Sequence, residues 1–320
     1  MTFPNGFDSI LLIAFGGPTP GCCTKYDACP GEAHCFVEGI VGTSASQADR
    51  LREVANHYTA LGGFSPFNGL TFKQARALET TLKNGGIDIP VYAGFRHWTP
   101  YIREVISAMG EKKHRRILGI IMAPHQSKVS WDWYQQTVRE AIDAIDAQLT
   151  ISYLDPWYTN PGYIQAITNE IKVACQHLSK DGFDNASLIF TAHAVPQSVA
   201  KTSPYIQQFA ETARVAATLI GKKDHNLAYQ SQAENAKFPW TQPDINDLIR
   251  EKKQAGVSGV IVSPIGFLCD HVEVLYDLDI EARTTAEECG MRFIRAKTVG
   301  DHPEFISMLA ALVRERCIKV

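Results

Sequence analysis

The chain has 320 residues, of which 45% are hydrophobic and 20% charged, and its formal net charge is -3 at pH 7. This length allows two ordinary domains or one large α/β unit, and the composition is that of a globular protein rather than a disordered one. The weakly acidic balance gives no basis for nucleic-acid binding, which depends on clustered Lys and Arg, so that class of partner is excluded.

The N-terminal sequence MTFPNGFDSILLIAFGGP has no basic leader, and no segment of the chain approaches the ~20 apolar residues that cross a bilayer. We therefore expect a cytoplasmic protein without a transmembrane segment, and a peripheral contact with a membrane surface stays open. The eight cysteines should be mostly reduced thiols in that compartment. A local cluster of them would indicate a metal site rather than disulfides.

Short apolar or β-branched runs alternate with segments of 3.6-residue periodicity along the whole chain. The predicted strands cover residues 9–15, 90–95, 117–122, 150–154, 187–191, 227–230, 259–263 and 291–294. The clearest predicted helices cover residues 132–147, 163–178 and 205–220. Near-continuous apolar strands that alternate with helices predict an α/β protein whose parallel sheets are covered by helices on both faces.

The eight predicted strands divide into two sets of four, separated by the turn-like sequence DPWYTNPG at residues 155–162. We predict two similar doubly wound halves, one over residues 1–157 with a Cys-rich insertion at 20–36, and one over 158–320. Each half would be a four-stranded parallel sheet flanked by helices. Whether the last predicted helix, over 303–317, packs on the first half stays open.

The motif FGGP, residues 15–18, directly follows the first predicted strand. In open parallel sheets ligands bind beyond the carboxyl ends of the strands, so such positions are candidates for function. The motif lacks both the G-x-G-x-x-G and the G-K-S/T pattern, and a nucleotide site is not favoured. Its glycines indicate either a turn that needs glycine dihedrals or a backbone that approaches a flat ligand, and both interpretations stay open.

His193 lies where the chain turns after the fifth predicted strand, in TAHAVPQS. A histidine at a strand end is commonly structural, but a second cluster follows the seventh strand of the same half. That cluster consists of Asp270, His271, Glu273, Asp277 and Glu281. At 100° per residue its four acids fall on one side of a helix, which is ordinarily a solvated face. At the binding end of a sheet, crowded carboxylates instead attract cations or protons, which suits proton relay or metal delivery.

Aromatic residues are grouped in the same strand-end loops. They are Phe15, Phe64, Phe67, Trp98, Trp131, Trp133, Tyr134, Phe238 and Trp240. Part of this set should belong to the core, but the grouping favours a large, flat, apolar ligand. Arg96, together with Lys237, would then meet acidic substituents at the edge of that ligand.

Six motifs extend in order over nearly the whole chain: LLIAFGGP, ALGGFSPFN, VYAGFRHWTPYI, TAHAVP, YQSQAENAKFPWTQPDI and PIGFLCDHVEVLYDLDIEA. With these motifs the chain resembles the ferrochelatase family, whose members insert ferrous iron into a porphyrin at the end of haem synthesis. The resemblance implies two similar Rossmann-like, chelatase-like domains with a porphyrin cleft between them. It also implies that a porphyrin and Fe²⁺ are the substrates.

The resemblance assigns roles to the cluster in the second half. The implied catalytic set is His193, Glu273, His271 and Asp270, with Fe²⁺ at His193 and Glu273, and the implied proton relay is Asp277 and Glu281. The relay helix of the family often contains a π-bulge, which would rotate the acids toward one another. Metal insertion removes two pyrrole protons, so a neutral imidazole can accept a proton or ligate the iron. Which of His193 and Glu273 does which stays open.

The resemblance also implies contacts to the porphyrin. These positions are Phe15, Ser65, Arg96, His97, Ser127, Tyr134 and Trp240. Phe15 departs from the Met or iron-ligating Tyr of other members, and phenylalanine cannot ligate iron from that side. The choice between coproporphyrin III and protoporphyrin IX therefore stays open.

A second departure is the stretch PGCCTKYDACPGEAHCFVEG, which places four cysteines within 14 residues. They are Cys22, Cys23, Cys29 and Cys35. Thiolate clusters of this kind usually hold iron-sulfur or zinc. Some ferrochelatases carry a 2Fe-2S cluster with ligands near the C-terminus, where this chain offers only Cys317. We therefore predict that the loop supplies the ligands of a 2Fe-2S cluster, with a zinc site, free thiols or disulfides as the alternatives.

Two other functions are open on the same scaffold. One is insertion of another divalent metal, such as cobalt, into a related tetrapyrrole. The other is a non-catalytic haem or porphyrin carrier, which would need the apolar pocket but not the row of acids. The sequence makes no prediction of the oligomeric state.

Overall fold

The computed structural model describes residues 6–21, 31–44, 48–145, 148–222, 224–232 and 238–318. The chain separates into two compact units. The first unit comprises Met1–Met122, Asp132–Leu154 and Leu309–Val320, and the second comprises Ala123–Trp131 and Asp155–Met308. In this grouping residues 123–131 belong to the second unit and residues 309–320 to the first. The single boundary predicted near residue 157 stays a prediction.

The first unit contains a four-stranded parallel sheet with the strand order β2-β1-β3-β4. Its strands are β1 (Ser9–Ala14), β2 (Val91–Phe95), β3 (Arg116–Ile121) and β4 (Thr150–Tyr153). Its helices are α1 (Glu32–Val41), α2 (Ala48–Ala60), α3 (Phe67–Asn84), α4 (Ile102–Glu111) and α5 (Trp133–Asp143). The central strand β1 is buried along its entire length, which is why it appears in the sequence as an uninterrupted apolar run.

The second unit repeats this topology with the strand order β6-β5-β7-β8, again all parallel. Its strands are β5 (Ser187–His193), β6 (Asn226–Gln230), β7 (Gly259–Ser263) and β8 (Arg292–Arg295). Its helices are α6 (Pro161–Cys175), α7 (Lys180–Asn185), α8 (Gln197–Lys201), α9 (Tyr205–Ile220), α10 (Ile245–Gln254), α11 (Val272–Tyr276) and α12 (Arg283–Glu288). The predicted α/β class with two similar four-stranded parallel sheets is confirmed.

The last helix, α13 (Pro303–Ile318), answers a question that the sequence left open. Its residues from Leu309 onward group with the first unit, whereas the preceding residues group with the second. Every helix in the described part of the chain is too short or too polar to cross a membrane.

The core of the second unit lies under residues 270–281, the acidic segment, which carries the predicted acids. Val260 and Val262 of β7 pack together with Ile249 of α10. Val274 and Leu278, from the acidic segment, are fully buried in the same cluster. Burying an aliphatic side chain of this size stabilises a fold by roughly 1.5–3 kcal/mol, so these contacts fix the acidic segment on the sheet.

The strands β5 and β7 are neighbours in the sheet, so the loops that follow them begin side by side. The chain continues from β5 to β6 on one side and from β7 to β8 on the other, and ligands bind at such a point of divergence. Gly266, in the loop after β7, lies directly against the end of β5. A Cβ on Gly266 would come within 2.6 Å of both Cα and Cβ of Ala192, and its N–H donates to the Thr191 carbonyl at 3.0 Å. Only glycine allows this close approach. The loop after β7 thus passes beside Ala192, the residue before His193, on its way to Glu273.

The glycines of the FGGP motif serve tight packing within the first unit. Gly16 has a φ of +94°, and a Cβ there would lie 2.8 Å from Cβ of Phe95. A Cβ on Gly17 would lie 2.6 Å from Cβ of Ser65. Close packing of the turn therefore accounts for both glycines.

Candidate active site

His193 and Glu273 lie side by side at the carboxyl end of the second sheet. His193 is the last residue of β5, and its Nε2 is 3.6 Å from Oε2 of Glu273. The two side chains are 38% and 25% exposed, so a ligand can reach both. The distance is longer than that of an ordinary hydrogen bond.

The backbone fixes which nitrogen of His193 faces Glu273. Nδ1 lies 2.5 Å from the carbonyl oxygen of Ala194. A carbonyl only accepts, so Nδ1 carries the hydrogen, and in the neutral imidazole the lone pair is on Nε2. The hydroxyl of Tyr205 donates to the His193 carbonyl at 2.9 Å and holds the strand end in place. The site thus presents a basic nitrogen toward a carboxylate.

His271 lies on the other side of the same carboxylate. Its Nε2 is 3.3 Å from Oε2 of Glu273, and its side chain is 8% exposed. The ring of Phe267 lies 5.1 Å from the His271 ring and 6.4 Å from the His193 ring, measured between centroids. One carboxylate oxygen is therefore flanked by two imidazoles beside an aromatic ring.

Asp277 is a buried acid one turn further along the segment. Its Oδ2 accepts hydrogen bonds from the hydroxyl of Ser231 and from Nε2 of Gln230, the latter at 3.4 Å. Burial raises the pKa of Asp277 well above its ordinary value of 3.8; the hydrogen bonds lower the pKa, and the charges of Glu273 and Glu281 raise it. Because both donors reach Oδ2, a proton on Oδ1 is compatible with both hydrogen bonds.

Gln230 and Ser231 are site residues that the sequence prediction missed. Gln230 accepts from the Thr191 hydroxyl at 2.9 Å and donates to the Glu273 carbonyl at 3.1 Å. Ser231 has a φ of 62°, an uncommon backbone conformation for a residue other than glycine. Their position in the sequence could have identified them, because both residues lie at the carboxyl end of β6, and strand ends of this kind carry the other candidate residues.

A π-helix over Asp277–Ala282 follows α11, in agreement with the π-bulge that the resemblance implied. Asp277 begins it and is buried, whereas Glu281, near its end, is exposed. The two predicted relay acids therefore lead from the interior to solvent. A second π-helix, Lys128–Asp132, had no counterpart in the prediction.

The predicted row of four acids is wrong at Asp270, which lies outside the helix. The helix begins only at Val272, so the 100° spacing does not extend to Asp270, and the row starts at Glu273. The carboxylate of Asp270 accepts from Nη1 of Arg295 at 3.1 Å and from the backbone N–H of Thr298 at 3.1 Å.

Several residues predicted to contact porphyrin lie in the first unit. The rings of Phe15 and His97 are 4.5 Å apart, and the guanidinium of Arg96 lies 4.5 Å from the centre of the Trp133 ring. Burial, together with the charge of Arg96, lowers the pKa of His97 to about 4, so this imidazole is neutral near pH 7. Burial also lowers the pKa of Arg96.

The remaining predicted contacts are divided between the units. Ser65 and Tyr134, in the first unit, are both buried, and the Ser65 hydroxyl accepts from the N–H of Phe67 at 3.3 Å. In the second unit the hydroxyl of Ser127 lies 2.9 Å from that of Ser130. The backbone of Trp240 forms an isolated antiparallel β-bridge with Pro196, three residues after His193. The role of each residue toward porphyrin stays a prediction.

The predicted cysteine ligands lie mostly beyond what the structure describes. Cys22, Cys23 and Cys29 are outside the described residues, as is Lys237. Cys35 is 5% exposed on α1, among other buried residues of that helix. Within the described ranges, no three His, Cys, Asp or Glu side chains are arranged to hold one metal ion.

The model of one protein family, described as ferrochelatase, matches residues 34–317. The chain belongs to the ferrochelatase family. The family and enzyme class predicted from the motifs are thus confirmed. The coproporphyrin III ferrochelatase of Nocardia farcinica is 34% identical over 96% of this chain and 88% of its own. The ferrochelatase of Deinococcus radiodurans is 31% identical over 97% of this chain and 96% of its own.

A solved structure supports the fold independently. The sirohydrochlorin chelatase SirB from Bacillus subtilis subspecies spizizenii, in complex with cobalt, matches with a TM-score of 0.54 and 14% sequence identity. The match covers 97% of this chain and 95% of the SirB chain. At this identity the likeness is one of fold, and it agrees with the predicted chelatase-like architecture.

Proposed function

We propose that this ferrochelatase inserts Fe²⁺ into coproporphyrin III, as a step of haem biosynthesis, and that His193 and Glu273 carry the reaction. The observation that supports these roles is the approach of His193 Nε2 to Glu273 Oε2 at 3.6 Å, with the histidine hydrogen held on Nδ1. The choice of porphyrin is supported by the Nocardia farcinica relative, which is a coproporphyrin III ferrochelatase.

The reaction exchanges Fe²⁺ for two protons, so the porphyrin ends with the same net charge. We assign both pyrrole protons, one after the other, to Nε2 of His193, the nitrogen that carries the lone pair; each proton passes on through the neighbouring acids to water before the next is taken up. The imidazolium that forms is stabilised by the neighbouring Glu273 carboxylate, which also attracts the incoming Fe²⁺. Burial raises the pKa of Asp277, so this carboxyl takes up a proton more readily than an exposed one and can pass it on to the acids beside it. Glu281 completes the path to water.

We further propose that residues of the first unit bind the porphyrin. Arg96 is suited to a propionate group, because a guanidinium binds a carboxylate through two parallel hydrogen bonds. His97, which burial keeps neutral, and Phe15 would contact the macrocycle as flat apolar surfaces. Ser65 and Tyr134 in this unit, and Ser127 and Trp240 in the other, are assigned to the remaining contacts.

An anaerobic Fe²⁺ insertion assay tests this proposal. We expect kcat/KM to be at least about tenfold higher with coproporphyrin III than with protoporphyrin IX, because each lost carboxylate contact costs about 1.4 kcal/mol or more. Equal or greater kcat/KM with protoporphyrin IX would reject the proposed substrate. Insertion of cobalt but not of Fe²⁺ would support the cobalt alternative. Tight porphyrin binding without insertion of any metal would support the carrier alternative.

A 2Fe-2S cluster held by Cys22, Cys23, Cys29 and Cys35 is a separate proposal, and the spacing of these cysteines is its only support. The step of metal insertion does not use the cluster. Protein purified without oxygen should contain about two iron atoms and two acid-labile sulfides per chain. A Cys22→Ser/Cys23→Ser double variant should lose both, whereas the matched control Cys175→Ser, a buried cysteine of the second unit, should retain them. Colourless wild-type protein that binds zinc would refute the cluster.

We also propose the cytoplasmic location that the sequence predicts, and a peripheral membrane contact stays open. Fractionation of cells that produce the chain would test both. Recovery in the washed membrane fraction would contradict the cytoplasmic location.

A further inference from the structure

Arg295, the last residue of β8, is a buried cation directed at the acidic segment. Its side chain is 10% exposed. Nε and Nη2 each donate to a different oxygen of Asp279, both at 2.7 Å, which is the bidentate geometry of a strong guanidinium–carboxylate pair. Asp279 belongs to the π-helix, two residues after Asp277 and two before Glu281.

The same guanidinium also binds Asp270, which lies two residues before the start of α11. Nη1 lies 3.1 Å from both oxygens of Asp270, which accepts in addition from the backbone N–H of Thr298 at 3.1 Å. Burial alone would lower the pKa of Arg295, but the hydrogen bonds and charges of Asp279 and Asp270 raise it. One cation thus connects Asp270, before α11, with Asp279, in the π-helix after it.

The acidic segment is attached to both edges of its sheet. β6 and β8 are the edge strands in the order β6-β5-β7-β8. The end of β6 holds Asp277 through Gln230 and Ser231, and the end of β8 holds Asp279 through Arg295. Residues two apart on a helix face different sides, so the two attachments hold the segment from opposite directions. Glu273 lies between the attached residues Asp270 and Asp277.

We propose that Arg295 is a positioning residue for metal insertion, and that Asp270 acts through Arg295 rather than by transferring protons. This inference rests on the proposed function, because it concerns the orientation of Glu273 and Asp277 relative to His193. The carboxylate of Asp270 is engaged by Arg295 and Thr298, on the side of the segment away from the hydrogen bonds of Asp277.

Kinetics of two variants test the role of Arg295. Arg295→Met should lower kcat for Fe²⁺ insertion about tenfold, because small misplacements of catalytic groups cost large factors in rate. The porphyrin KM should change less than twofold, since Arg295 is not among the residues that we propose to contact porphyrin. Arg295→Lys should recover part of kcat, because an ammonium keeps the charge but cannot reproduce the fork. An unchanged kcat in Arg295→Met would overturn the proposal.

Lys222→Met is the matched control for loss of a buried cation. Lys222 is 8% exposed, and its ammonium donates to the carbonyls of Phe183, Asp184 and Ala186, just before the amino end of β5. This variant should lower the urea midpoint but leave kcat per folded molecule unchanged. A loss of kcat equal to that of Arg295→Met would mean that general destabilisation explains both, and would overturn the positioning role.

A double-mutant cycle tests the role of Asp270. Asp270→Asn should lower kcat severalfold in the wild-type background and less than twofold in the Arg295→Met background, because residues that act through one contact are not additive. Equal losses in both backgrounds would show that Asp270 acts independently of Arg295, and would overturn this part of the proposal.

The contacts of Arg295 with Asp270 and Asp279 form a clamp on the acidic segment, and hydrogen exchange separates failure of this clamp from failure of the proposed function. Backbone amides of residues 272–282 should exchange at least tenfold faster in Arg295→Met than in wild type, with no such change in Lys222→Met. This measurement needs no turnover, so it applies even if the wild-type chain inserts no iron. Unchanged exchange in Arg295→Met would overturn the clamp whatever the activity of the chain.

Discussion

Replacing His193 with alanine is expected to lower kcat for Fe²⁺ insertion by about a thousandfold, within the usual range for loss of a positioned general base. The reason is that Nε2 is the basic atom directed at Glu273, while Nδ1 is committed to the Ala194 carbonyl. Porphyrin affinity, followed by fluorescence titration, should change far less than kcat, because the imidazole acts on the pyrrole protons rather than on the periphery of the ring.

His177→Ala is the control for this experiment, since His177 is an exposed histidine of the same unit and lies after α6. Its kcat should equal that of the wild type. Added imidazole should restore part of the activity of His193→Ala but leave that of His177→Ala unchanged. Insertion within tenfold of wild type in His193→Ala would remove the histidine from the proposed proton transfer.

The fold could be predicted from the sequence because its strands are buried on both faces. β7 was predicted with its observed ends, since all five of its residues are buried and apolar or small. β5 was predicted to end at residue 191, but it continues to His193, which pairs with Gln230 of β6. A polar residue at a strand end gives no apolar signal, and only pairing with the neighbouring strand decides where β5 ends.

The acidic site could be predicted only in part, because a periodicity argument assumes a regular helix. The helix begins at Val272 and widens into a π-helix at Asp277, so neither end of the predicted row follows 100° per residue. Arg295 was missed for a different reason. It meets Asp270 and Asp279 across 25 and 16 residues of chain, and such a contact depends on the placement of β8 in the sheet.

The burial of Asp277 was the least predictable feature of the site. A row of acids on a helix ordinarily faces water, and nothing in the spacing of these residues distinguishes Asp277 from Glu281. The structure buries the first and exposes the second, because the carboxyl end of β6 covers Asp277 with Gln230 and Ser231. Burial raises the pKa of Asp277, and the two acids lead from the interior to solvent, which suits the relay that we propose.

Asp277→Asn should therefore lower kcat about a hundredfold, because the amide cannot exchange a proton with its neighbours, while its size and its acceptor oxygen are retained. The substitution should also remove a pH dependence of stability. The pKa of Asp277 is raised in the folded chain above its ordinary value of 3.8 in the unfolded chain. The folded state then binds this proton more tightly, so the resulting stabilisation is complete below the unfolded pKa and is lost as pH rises through the folded pKa.

Urea unfolding between pH 4 and pH 9 measures this dependence. Relative to wild type, Asp277→Asn should gain free energy of unfolding as pH rises, by at most about 1.4 kcal/mol per pH unit, until the folded pKa is passed. Asp301→Asn, the same substitution at an exposed acid of the unit, should show a constant difference from wild type. A difference for Asp277→Asn that does not vary with pH would mean that the pKa of Asp277 is the same in the folded and the unfolded chain, and would contradict a relay that depends on a buried acid of raised pKa.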